Sequence, residues 1–148
     1  MTCAWAQASS VELIELTPVQ RDNTLLLNAQ LKLGLGPAVE DALIKGLAVH
    51  FVAEAILLRE RWYWTDKKTG SASRYYRLAF QPLTRRWRLN VASEPISSNG
   101  LAGSISQSFD KLSDALAVIR RQSSWKIAEM SEVSLDARQY IAYRFWLD

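Results

Sequence analysis

The chain has 148 residues, 49% of them apolar and 22% charged, which suits one folded domain of common size with a buried core and excludes a disordered chain. Its net charge is only +3 despite a pI near 9.2, short of the dense basic face of a nucleic-acid-binding domain. No apolar run approaches the ~20 residues of a membrane helix; the longest, around Ala53 to Leu58, is flanked by charge.

Residues 1–10 carry a compartment signal. Ala6-Gln7-Ala8 has the small-x-small form after which signal peptidase cuts. A charged n-region and a long apolar h-region are missing before it, so residues 1–10 are expected to be the remnant of a signal peptide or a disordered N-terminus. Residues 11–148 are expected to form one β-rich domain. Export implies the periplasm of a Gram-negative bacterium. Cys3 is the only cysteine and lies before the proposed cut, which leaves the mature chain without a disulfide.

Val11 to Leu16 reads as a strand closed by Thr17-Pro18, and Arg21-Asp22-Asn23 as a polar turn. From Leu25 to Leu35 the leucines alternate with mainly polar residues, the period of a half-buried strand. Gly36-Pro37 opens a short helix, about Pro37 to Lys45, with Val39, Ala42 and Leu43 on one face and Gly46 as its stop. Leu47 to Trp64 reads as a long strand, bulged near its middle. Thr65 to Ser73 reads as a polar hairpin loop, with Gly70 free to take a positive φ. Arg74 to Gln81 returns as a strand, and Pro82-Leu83-Thr84-Arg85 turns into a third, where Trp87, Leu89 and Val91 alternate with Arg86, Arg88 and Asn90. These three strands are expected to form a meander.

Ser93 to Ser108 is a long irregular stretch with a short strand near Ser104 to Gln107. Asp110 is placed to cap a second helix, Lys111 to about Arg121, whose buried face carries Leu112, Ala115, Leu116 and Ile119. Trp125 to Ala128 reads as a short strand, Ser131 to Arg138 as a polar connection and Tyr140 to Leu147 as a last strand. The fold expected is mainly β: an antiparallel sandwich or strongly curved sheet with two short helices. The alternative is an α+β sheet with both helices on one face.

The residues offer no catalytic constellation. His50 is the only histidine, whereas a Cys/His metal site needs several ligands. There is no G-x-S-x-G elbow, and Gly34-Leu35-Gly36 lacks the rest of a dinucleotide fingerprint. Glu54 and Glu60 share strand parity but stand ~20 Å apart along a strand, too far to flank one substrate bond. We therefore expect no enzyme, metal site or cofactor.

The densest signal is Arg59-Glu60-Arg61-Trp62-Tyr63-Trp64 with Arg74, Arg77, Arg85, Arg86 and Arg88. In a meander Arg59, Arg61 and Tyr63 would face Arg77 and Tyr75, with Arg86 and Arg88 beyond. Arginines stacked on rings bind anions. The candidate binding face is thus Arg59, Arg61, Trp62, Tyr63, Trp64, Arg74, Arg77, Arg86 and Arg88. The plainer reading is a solvated sheet face whose arginines pair with Glu or Asp and shield the rings. Outside the cytoplasm, nucleic acid is a poor partner; acidic lipid head groups at the membrane surface, anionic glycans or an acidic protein surface suit the face better.

The segments E-D-A-L-I-K-G-L-A-V-H-F-V-A-E at Glu40 to Glu54, R-E-R-W-Y-W-T-D at Arg59 to Asp66, Y-R-L at Tyr76 to Leu78, L-T-R-R-W at Leu83 to Trp87 and S-F-D-K-L-S-D-A-L at Ser108 to Leu116 together resemble the bacterial family named domain of unknown function 4390. The resemblance implies an exported protein, often encoded beside a membrane sensor histidine kinase of the nitrogen-regulation type. It also implies a Leu-Pro-Lys-Pro-like tail after the final Leu-Asp, and it brings no catalytic residues. The function expected is a periplasmic, non-enzymatic interaction domain with an envelope partner such as that kinase. The alternative is a small-ligand or lipid-binding β domain with a cavity between its layers, lined by Trp62, Trp64 or Trp87.

Overall fold

A computed structural model describes residues 9–60, 67–96, 104–132 and 138–147. Eight strands are described: β1 (Ser9–Arg21), β2 (Thr24–Leu35), β3 (Val49–Arg59), β4 (Lys67–Gln81), β5 (Arg86–Ala92), β6 (Ile105–Phe109), β7 (Arg121–Glu129) and β8 (Gln139–Leu147). Helix α1 (Pro37–Ile44) joins β2 to β3, and α2 (Leu112–Arg120) joins β6 to β7. The strands form two sheets, ordered β1-β2-β7 and β6-β5-β4-β3-β8, and every pair is antiparallel. The chain is thus mainly β, with two short helices, as its period-two segments imply. Helix α2 touches strands of both sheets, so the arrangement with both helices on one face of a single sheet does not hold.

The leucines of β2 do what their spacing dictates: Leu27, Leu31 and Leu33 are buried with Ala29 between them. Leu27 and Leu33 join Phe51, Ala53 and Ala55 of β3, Tyr76 and Leu78 of β4 and Leu89 of β5 in one core, which Ala115, Leu116 and Ile119 of α2 close. Arg120 fastens that helix to β2 by donating from Nε and Nη2 to the Leu33 carbonyl oxygen, at 3.3 and 3.0 Å. Val39 and Leu43 bury α1, and Gly46 (φ 92°) ends it.

Several boundaries differ from the expectation. β1 runs through Thr17-Pro18 to Arg21, because it is an edge strand, where a proline is tolerated. Asp22 and Asn23 (φ 49° and 62°) form the two-residue turn with both central residues left-handed that the twist of a hairpin favours. β4 begins at Lys67, so Thr69 to Ser73 belong to a strand, and Gly70 pairs with Leu57 rather than turning a loop. The bulge expected in β3 lies late, between Leu57 and Leu58. Lys111, not Asp110, holds the N-cap position of α2 without a side-chain cap, and Asp110 pairs with Arg86 instead, at 3.6 Å. The register between β2 and β7 slips twice. At the slip between Leu27 and Ala29, opposite Trp125 and Gln122, Ser124 takes a positive φ of 52°, and its N–H donates to Asn28 Oδ1 at 2.8 Å.

Candidate functional site

The hairpin register separates the arginines that the sequence suggested as one face. Residues opposite one another share a face. Val52 opposes Tyr75, His50 opposes Arg77, and Arg59 opposes Lys67 and Gln139. Arg59 therefore stands seven to nine rows from Tyr75 and Arg77, roughly 23–30 Å, and does not face them. Its Nε is buried with no hydrogen-bond partner among the described residues. Arg61, Trp62, Tyr63 and Trp64 lie outside the described residues.

Arg77, Arg86 and Arg88 do come together, on the outer face of the five-stranded sheet. Arg77 opposes Asn90, Arg88 opposes Ala79 and Ser108, and Arg86 opposes Gln81. On the same face Arg144 pairs with Glu54 at 2.6 Å and stacks 5.0 Å from the Trp146 ring. Arg86 has its own carboxylate in Asp110. Those two cations are satisfied as on a solvated sheet face, whereas Arg88 Nε is buried with no hydrogen-bond partner among the described residues.

Arg74 is different. It opposes Ala53, which is fully buried, so its side chain leaves the inner side of the sheet. Its guanidinium carbon lies 5.2 Å from the ring centroid of Trp125, on β7 of the other sheet. Trp125 is 5% exposed and meets Tyr143 edge-on at 6.4 Å. The Tyr143 hydroxyl donates to Gln122 Oε1 at 2.7 Å, and Gln122 Nε2 donates to the Ile119 carbonyl oxygen at 3.3 Å. A polar seam thus crosses the sandwich from Arg74 to the base of α2. Burial pushes the hydroxyls of Tyr76 and Tyr143 above the usual tyrosine range, and the nearby Arg74 guanidinium and the Gln122 hydrogen bond oppose that only in part. Both hydroxyls are therefore held neutral.

The seam borders a cleft of about 920 Å³ lined by Ser71, Arg74, Tyr75, Glu94, Val118 and Trp125 among others. Its long sides are two strand edges. β7 is the last strand of its sheet. β5 accompanies β4 only from Tyr75 to Gln81, so from Lys67 to Arg74 the described residues pair with β4 on the β3 side alone. Beyond Arg74 the cleft continues between Thr69–Ser71 of β4 and Lys126–Glu129 of β7. It is open because Thr69, Gly70, Ser71, Ala72 and Ser73 are small.

Sequence reasoning missed this place. It read residues 65–73 as a loop and gave Trp125 and Gln122 no role, because the bulge at Ser124 breaks the alternation by which both point inward. The cavity expected around Trp87 is filled by its own ring, which is 9% exposed and lies 4.7 Å from Phe80. Trp62 and Trp64, the other residues named for that cavity, lie outside the described residues. Among the described residues no three His, Cys, Asp or Glu side chains gather where they could hold a metal ion, and no helix is long and apolar enough to cross a membrane. What lines the cleft is suited to binding: main-chain donors and acceptors on two edges, small hydroxyls and one inward-facing cation.

Comparison with curated proteins and with solved structures finds no match. The family model of the domain of unknown function DUF4390 matches residues 8–148, and the chain belongs to that family.

Proposed function

We propose that this chain is a periplasmic, non-enzymatic interaction domain that accepts an extended segment of an envelope protein along the free edge of β4. The observation that carries this is the run Lys67 to Arg74, unpaired on one side among the described residues and facing a cleft. An open edge is a template for another strand, in which main-chain hydrogen bonds supply affinity and side-chain pockets supply selectivity. The edge of β1 is a poorer template, because Pro18, the bulge between Leu13 and Glu15 and the charges of Glu12 and Glu15 interrupt it. β4 carries no proline before its turn at Pro82.

The partner named first is the sensor domain of a membrane histidine kinase, on the family expectation given above. A small ligand in the same cleft is the second reading, favoured by a volume inside the ~300–1,000 Å³ of ligand pockets. The strand reading is preferred because main-chain groups run the length of the cleft.

Ser71 is exposed and borders the cleft at the strand edge with the parity of the outer face, so Ser71→Trp crowds the rim over which an added strand must pass and is expected to change stability by under about 0.5 kcal/mol. Arg77→Glu/Arg86→Glu reverses charge on the outer face and leaves the cleft intact. In pull-downs from envelope extracts, Ser71→Trp should lose partners that the wild type and the outer-face variant both retain. Retention by Ser71→Trp with loss by the outer-face variant would move the site to the arginine face.

A further inference from the structure

This inference rests on the reading of the cleft as a strand-binding groove: we propose that the segment it accepts carries an acidic side chain near its N-terminal end, and that Arg74 selects that side chain. Two independent observations point there.

The first is charge. Arg86 and Arg144 each have a carboxylate partner, and Lys126, at the cleft rim, pairs with Glu129. Arg74 has no carboxylate within ion-pair distance among the described residues, although Glu94 lines the same cleft. It is held over the Trp125 ring beside the Tyr76 hydroxyl. A cation turned toward the interior loses hydration and recovers it best from an anion that arrives with its own hydrogen-bonding capacity. A guanidinium fixed by an indole face presents its fork to a carboxylate in a set orientation.

The second is direction. Every pair in this sheet is antiparallel, and antiparallel pairing is slightly the more stable per residue. β5 runs past β4 until Ala92 meets Tyr75. A segment continuing that line would meet Arg74 with its first residues and Lys67 with its last. Its C-terminal carboxylate would then lie ~24 Å from Arg74. The anion at Arg74 is therefore a side chain, on the residue opposite Arg74 or the next inward-facing one, since opposed residues share a face.

The probe is a display library of random dodecapeptides, selected on the wild-type chain and counter-selected on Ser71→Trp. Enriched peptides are synthesised in four forms: unchanged, with each Asp or Glu replaced by its amide, with the C-terminus amidated, and with the N-terminus acetylated. They are titrated against wild type, Arg74→Gln and Arg74→Lys. The expected result is a consensus with Asp or Glu in its N-terminal half. Affinity should fall at least tenfold on amide replacement or with Arg74→Gln, recover in part with Arg74→Lys, and not change on amidation of the C-terminus. An acid-free consensus, or equal affinity for wild type and Arg74→Gln, overturns the inference and leaves the groove reading standing. Loss on C-terminal amidation alone overturns the proposed direction and with it the inference. Failure to enrich any peptide over Ser71→Trp overturns both readings.

Discussion

Trp125→Ala is expected to destabilise the domain by about 3–5 kcal/mol, the usual cost of truncating a buried large aromatic. The indole is in the core cluster, packs edge-on against Tyr143 and supports the Arg74 guanidinium. Its removal opens the cleft into the core and leaves the cation without its ring. Domains of this size have a net stability of about 5–15 kcal/mol, so the loss is a large share of the total. Trp125→Phe keeps a ring at the site and should cost clearly less. Urea unfolding followed by far-ultraviolet circular dichroism measures both. A cost below about 1 kcal/mol for the alanine variant would mean that the wall of the cleft is not packed as described.

The second large effect belongs to Gln122, which is 1% exposed and joins the sheets through Tyr143 and the end of α2. Gln122→Leu has about the right volume but strands the Tyr143 hydroxyl and the Ile119 carbonyl. Leaving such groups unsatisfied costs about 1–3 kcal/mol each. Gln122→Leu/Tyr143→Phe removes the stranded hydroxyl as well and should regain part of the loss, so the two changes will not be additive. The same seam predicts an alkaline weakness. Burial holds the Tyr76 and Tyr143 hydroxyls neutral in the fold, whereas unfolded tyrosines ionise near pH 10. Their contribution is complete below about pH 10 and is lost as pH rises from there through the folded values, because the unfolded chain then binds fewer protons than the native one. Tyr143→Phe should make that fall shallower. Additive losses for the pair, or an unchanged alkaline limb in Tyr143→Phe, would show that the seam does not couple the sheets.

Strand identity was legible wherever one face is apolar and the other polar. The alternating leucines of β2, the Tyr76-Leu78-Phe80 face of β4 and the Trp87-Leu89-Val91 face of β5 all lie as their spacing dictates. α1 was legible from Pro37 and Gly46. The cleft was not, for two physical reasons. After Lys67 and Lys68 the first half of β4 is Thr, Gly, Ser and Ala, residues that also suit turns, so nothing in Thr69 to Ser73 distinguishes a strand beside an open cleft from a hairpin loop. In β7 the left-handed Ser124 resets the parity, so Gln122 and Trp125 both face inward although three residues apart. Asn28, whose side chain accepts from the Ser124 N–H, is the trace of that bulge in the sequence, but it lies on a distant strand. The arginine cluster shows the opposite limit. Composition found the residues, but faces depend on register, and register sends Arg74 inward, keeps Arg77, Arg86 and Arg88 outward and moves Arg59 to the far end of the hairpin.

The most direct test of strand addition in the cleft is photo-crosslinking in intact envelopes from two positions on the same fold. p-Benzoylphenylalanine at Lys126 sits on the rim of the cleft, and at Arg86 it sits on the outer sheet face; both side chains are exposed, so neither replacement disturbs the core. The account predicts a discrete partner adduct from Lys126 that Ser71→Trp abolishes, and none from Arg86. An adduct from Arg86 with none from Lys126, or a Lys126 adduct that persists in Ser71→Trp, would contradict it.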